Sequence, residues 1–200
     1  VVVRDGARLR IAFQGERGSF SDEAIQQLFG SDAQRLPCRE FADVTAAIAS
    51  DVADCGVLPI ENSIVGPITG ARAAIAATAG LHVLAETVVA VHHCLLGLPT
   101  TTVTQVTRVV SHPVALQQCQ HFFSAHRQFT VQSFYDTAGA AMHVAAVADP
   151  SLAAVASHRA AILYNLHVLR ADIEDRADNE TRFVALCKRA VSAVSGTQLR

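Results

Sequence analysis

Short β-rich runs alternate with stretches of helical periodicity along almost the whole chain, and that alternation constrains the fold more than any other feature. Leu9 to Phe13 is a short apolar strand, after which Phe20, Ala24, Ile25 and Leu28 recur at helical spacing up to Gly30. Phe41, Val44 and Ile48 mark a second helix, and Cys55 to Ile60 reads as a buried strand stopped by Pro59. Gly66-Pro67 is expected to open a third helix running to about Ala79, because proline fits a first helical turn. Leu81 to Leu98 is a long β-rich stretch, and Thr100 to Thr107 is a loop. A strand from Arg108 to Val110 leads to a helix from Pro113, with Ala115, Cys119 and Phe122 on one face. Strands are expected at Phe129–Phe134, Ala153–Ala156 and Thr181–Cys187, with helices over Thr137–Val147 and up to Leu166.

Alternating β and α elements argue for an α/β fold with largely parallel sheets and flanking helices. The long β stretch near the middle suggests a crossover between two lobes, and a second crossover near Val168 to Ile173 would return the chain. Lobe 1 is therefore expected over about 8–85 plus 175–190, and lobe 2 over about 86–174, within one domain spanning 1–200.

Half of the residues are apolar, which suffices for a substantial core, while 17% are charged and the net charge is -2. No block of like charge appears, so neither nucleic acid nor a membrane is an expected partner. The five cysteines form no C-x-x-C pair and read as reduced buried thiols of a cytoplasmic protein. The opening Val1-Val2-Val3-Arg4-Asp5-Gly6 lacks the pattern of a signal peptide.

Four strand-to-helix junctions are polar and built of small residues: Gly15-Glu16-Arg17-Gly18-Ser19, Glu61-Asn62-Ser63, Ser111-His112-Pro113 and Asp136-Thr137-Ala138. In α/β sheets such junctions lie at the carboxyl ends of the strands, where ligands bind and helix N-termini present free N–H groups. Each alone is usually just an ordinary helix cap. Together they point to a small anion held between two lobes. Gly15 to Gly18 is too short for a dinucleotide fingerprint. The adjacent pair His92-His93 would point to opposite faces of a strand and makes a poor metal pair, so no metal and no cofactor is expected. His112 reads as structural and Cys119 as core.

The ordered motifs carry a family likeness. Ile11-Ala12-Phe13-Gln14-Gly15 with Gly18-Ser19-Phe20-Ser21, Leu58-Pro59-Ile60-Glu61-Asn62-Ser63, Ser111-His112-Pro113 with Gln117-Gln118-Cys119, Asp136-Thr137-Ala138, and Ile173-Glu174-Asp175 with Asn179-Glu180-Thr181-Arg182-Phe183 resemble those of the prephenate dehydratases. The resemblance covers about residues 9–188. It implies two α/β lobes similar to type II periplasmic binding proteins, with the active site in the cleft. It departs at Glu16-Arg17, where many members have a proline, and at Val65 and Pro67. Only seventeen residues follow Phe183, so no regulatory domain is expected.

The resemblance implies the decarboxylating dehydration of prephenate to phenylpyruvate in phenylalanine biosynthesis. Arogenate dehydration, or a non-catalytic module binding a small anion, is the alternative. It makes Thr181, Asn62 and Gln118 catalytic. Ser63, Arg182, Phe183, Ser111, Ser19, Thr137 and Glu61 would contact substrate, with Arg182 holding the pyruvyl carboxylate and Glu61 orienting its loop. A homodimer or higher homo-oligomer is expected.

Overall fold

The computed structural model describes residues 8–188. The opening stretch read for a signal peptide, and residues 189 and 190 of the expected first lobe, lie outside the described residues. In chain order the first elements are β1 (Arg10–Gln14), α1 (Phe20–Phe29), β2 (Gln34–Cys38), α2 (Phe41–Ala49), β3 (Cys55–Asn62), β4 (Gly66–Pro67), α3 (Thr69–Ala77) and β5 (His82–Ala90). There follow β6 (Cys94–Gly97), β7 (Arg108–Ser111), α4 (Pro113–Gln117), α5 (Gln120–Ala125), β8 (Thr130–Ser133), α6 (Thr137–Val147), β9 (Leu152–Ala156), α7 (His158–Leu163) and β10 (His167–Arg170). The last described strand is β11 (Glu180–Cys187).

The strands form two sheets, β2-β1-β3-β11-β5, with β4 on β3, and β10-β6-β9-β7-β8. Both are mixed. Strands linked through helices run parallel: β1 with β2 and β3, and β7 with β8 and β9. Strands β11 and β6 run against their neighbours. These are the strands by which the chain enters each sheet after crossing from the other. The crossing has no helix to carry the chain back, so it enters at the cleft and runs away from it. As a result Thr181, at the start of β11, pairs with Asn62, at the end of β3.

Strand alternation splits the core into layers. Phe183, Ala185 and Cys187 pack with Ile11, Phe13, Val57 and Ile25 of α1. Val184 and Leu186 pack on the other face with Ala12, Leu58, and Val44 and Ile48 of α2. In the second sheet, Leu96, Val110 and Ala154 pack under the small residues of α6, while Leu95, Val109 and Val155 face Ala115, Cys119 and Phe129.

Four sequence expectations need correcting. Pro59 does not stop β3, which continues to Asn62; its partner β11 shifts register between Arg182 and Phe183, and that irregularity absorbs the missing N–H. Gly66-Pro67 forms β4, folded back on Glu61 and Asn62, with Gly66 at φ 83, and α3 begins only at Thr69. The helix from Pro113 breaks between α4 and α5. There the Gln118 carbonyl accepts from Asp175 N (2.7 Å), and the Asp175 carboxylate caps Gln120 N (3.0 Å) and His121 N (2.9 Å). The second crossover starts late, because His167–Arg170 is first used as an edge strand on β6.

Candidate active site

The cleft is built around Asn62. Its side-chain oxygen accepts two backbone N–H groups, from Ile64 (3.0 Å) and Val65 (2.9 Å). That fixes the amide the other way round for its nitrogen, which donates toward Thr181 Oγ1 (2.9 Å), Asn179 Oδ1 (2.7 Å) and the Glu180 carbonyl (3.0 Å). Thr181 thus receives a hydrogen bond on its oxygen and keeps its own O–H to give. Asn62 and Thr181 are both buried, and both line a cleft of about 520 Å³.

The opposite wall comes from the second sheet. His112 caps α4, Thr137 begins α6, and Gln118 stands at the α4–α5 break. Burial pushes the His112 imidazole below its usual pKa, against the opposing pull of Asp136. Asp136 caps α6 by accepting from Gly139 N (2.7 Å), and its own carboxyl is raised, because burial outweighs its hydrogen bonds. Helix α3 opens on the cleft through Thr69 and Gly70, and its N-cap Ile68 offers no side-chain acceptor. Its first N–H groups are therefore free for an anion. Among the described residues, those lining the cleft include no Lys, Arg, Asp or Glu.

The two crossovers are bonded to each other, and the first lines the cleft through Val91 and His93. Val91 N donates to the Asn179 carbonyl (2.8 Å) and Ile173 N to the His93 carbonyl (2.9 Å). Glu174 ties them further, accepting from His93 N (2.8 Å) and sharing a proton with His92 Nδ1 (2.8 Å). Burial would raise the Glu174 carboxyl, but these bonds hold it low. His92, Asp172 and Glu174 are the group of described residues whose donor atoms could meet at a metal. The His92–Glu174 contact already serves as a hydrogen bond between the crossovers.

The lobes also meet at the loop after β1. Ser157 Oγ donates to the Gly18 carbonyl (2.6 Å), Tyr164 OH to the Arg17 carbonyl (2.7 Å) and Tyr135 OH to Glu16 Oε1 (3.2 Å). Buried Asp22 accepts from Gly18 N (2.9 Å), Arg35 Nε (3.0 Å) and Arg159 Nε (3.2 Å). Burial alone would raise its carboxyl; the Gly18 N–H and the two guanidiniums outweigh that and hold it below its usual value.

A family model described as prephenate dehydratase matches residues 11–191. The chain belongs to the prephenate dehydratase family. Arogenate dehydratase/prephenate dehydratase 2, chloroplastic, of Arabidopsis thaliana is 36% identical over 189 residues, covering 94% of this chain and 49% of that protein. Arogenate dehydratase 1 of Petunia hybrida is 38% identical over 187 residues, covering 93% and 44%. The chain thus spans about half the length of these curated relatives. Among solved structures, prephenate dehydratase from Arthrobacter aurescens in complex with L-Phe matches with a TM-score of 0.83 at 28% identity, covering 92% of this chain and 61% of that one. GqqA, described as a novel type of quorum quenching acylase, matches with a TM-score of 0.81 at 36% identity, covering 92% and 65%.

In this prephenate dehydratase fold, Asn62, Gln118, Thr137 and Thr181 come together at the cleft. Other expected contacts do not line it. Arg182 alternates to the opposite face of β11, where it pairs with Glu61, near Glu86 and Arg72. Arg182 is not among the described residues that line the cleft. Phe183 is core beneath α1. The Ser63 hydroxyl is used by the Asp178 carbonyl and Glu180 N (both 2.9 Å), Ser111 Oγ by the Val155 carbonyl (2.6 Å), and Ser19 Oγ by Asp22 N (3.4 Å). Sequence reading missed His93, Phe20 and Phe41 and read His112 as structural rather than as a general base, yet all four line the cleft. His93 carried a signal: a polar residue leading into the apolar run Cys94–Gly97 must find a buried partner.

Proposed function

We propose that the cleft converts prephenate to phenylpyruvate, losing carbon dioxide from the ring carboxylate and water from the ring hydroxyl. The observation that carries this reading is the Thr181 hydroxyl, held by Asn62 so that its proton is free to face the cleft. Departing hydroxide is a poor leaving group, and a donor whose bond strengthens as the C–O bond breaks lowers that barrier. The electrons of the bond to the ring carboxylate shift into the ring as carbon dioxide leaves, the hydroxyl departs with the C–O pair and takes up one proton, drawn from solvent through the Thr181 hydroxyl, to become water, and aromatisation supplies the driving force. The balance requires no redox carrier. The free N–H groups of α3 are the proposed seat of a substrate carboxylate. Phenylpyruvate formation from prephenate, followed by its ultraviolet absorbance, tests the proposal; a folded chain that makes none refutes it.

Arogenate carries an amine in place of the keto group and would undergo the same loss, so turnover on both substrates decides which is preferred. The likeness to an acylase raises amide hydrolysis. However, the described partner of Thr181 Oγ1 is the Asn62 amide, a donor that takes up no proton, and this favours the hydroxyl as a hydrogen-bond donor over a nucleophile. We place the chain in phenylalanine biosynthesis, in the cytoplasm and as a homodimer or higher homo-oligomer. Five free cysteines, four of them buried, suit a reducing compartment. Exposed Val83 and Val88 on the edge strand β5 suit a partner surface.

A further inference from the structure

His93 is the most constrained polar group at the cleft. Its side chain is 2% exposed, and its backbone is fixed on both sides by the second crossover, through Glu174 and Ile173. The ring lies edge-on to Phe20, with centroids 5.7 Å apart. Nε2 is 2.9 Å from Gln118 Oε1, and Nδ1 has no partner among the described residues. A buried N–H left alone costs more than a bare acceptor lone pair, so the proton belongs on Nε2 and Nδ1 keeps the lone pair. Nε2 then donates, and the Gln118 oxygen accepts.

The backbone of Gln118 is also held, its N–H by the Val114 carbonyl (3.0 Å) and its carbonyl by Asp175 N (2.7 Å). Only its side-chain amide is free to turn, and His93 is the described group that decides which end faces the cleft. We propose that His93 is a positioning residue: by donating to the Gln118 oxygen it turns the Gln118 NH2 group toward the substrate oxygens beside Thr181. Because His93 lies on the first crossover and Gln118 on the second lobe, the bond also ties that crossover to the cleft wall. Burial keeps the imidazole pKa low, so this one-donor form persists at neutral pH. The inference rests on the proposed dehydratase reading of the cleft.

A double-mutant cycle with prephenate tests it. His93→Met removes the donor at similar volume and should lower kcat by about 10- to 100-fold, the scale of a misplaced reacting contact, with KM little changed. His93→Gln, whose amide reaches about where Nε2 does, should restore most of the loss. His93→Asn, whose amide stops near Nδ1, should behave like His93→Met and stands in for it if the methionine variant does not fold. In a Gln118→Ala background, His93→Met should cost almost nothing more, since the group it positions is gone. Equal losses in both backgrounds, or no loss in the native one, would overturn the role of His93 alone. Normal kcat for Gln118→Ala would instead overturn the parent reading of that cleft wall, and the inference with it.

Discussion

The lobes meet at two polar regions with similar sequence signatures and opposite states of satisfaction. The loop after β1, the start of α1 and the two ends of α7 form a latch whose groups consume one another: Asp22 with two guanidiniums and an N–H, Ser157 with Gly18, Tyr164 with Arg17. The cleft is built from the same kinds of residue, but its donors are left over. The Thr181 O–H, the Gln118 NH2 and the first N–H groups of α3 face a cavity. A polar junction is a binding site when its hydrogen-bond inventory does not close within the protein, and a structural clasp when it does.

The contrast predicts that cleft substitutions cost turnover and latch substitutions cost stability. Asn62→Ala should show the largest effect, lowering kcat by about 10²–10⁴-fold through the loss of an oriented Thr181. Some stability should go with it, since Ile64 N and Val65 N lose their acceptor. Steady-state kinetics on variants shown to be folded checks this. Asp22→Asn should cost on the order of 3 kcal/mol at neutral pH by uncoupling two arginines, with kcat largely retained. Asp22 has a folded pKa below its ordinary 3.8, so its contribution is complete above that value and lost as pH falls through the folded one. Denaturation curves of Asp22→Asn and the parent should therefore converge in acid. A gap of unchanged size there would show that the carboxylate charge is not what holds the latch.

Smaller effects sharpen the boundary of the cleft. Thr69→Asp places a carboxylate at the open end of α3 and should raise KM about 10-fold with little change in kcat. Unchanged KM would remove α3 as the carboxylate seat. Arg182→Ala should do least, changing kcat and KM by under about threefold, because its exposed ion pair with Glu61 contributes little and lies on the far face of the sheet.

Arg182 also shows where sequence reading stops. Motif order pointed to Asn62, Gln118 and Thr181, and strand and helix periods placed most elements, because each depends on local pattern. Thr181 and Arg182 are adjacent in one motif, so a linear reading gave both to the substrate. A strand of period two sends them to opposite faces. Ser63 and Ser111 fall outside the cleft lining for a related reason: a hydroxyl at a junction looks the same whether its partner is a ligand or a carbonyl from residue 178 or 155. The His93–Gln118 bond joins a crossover to a helix break and depends on tertiary proximity alone.

The role of the Thr181 hydroxyl is tested most directly by the kcat of folded Thr181→Ala with prephenate, beside Thr181→Ser. Alanine should lose about 10²–10⁴-fold at nearly unchanged KM, and serine, which keeps the hydroxyl, should recover much of it. A near-normal kcat for Thr181→Ala, or a larger loss in Arg182→Ala, would contradict that role.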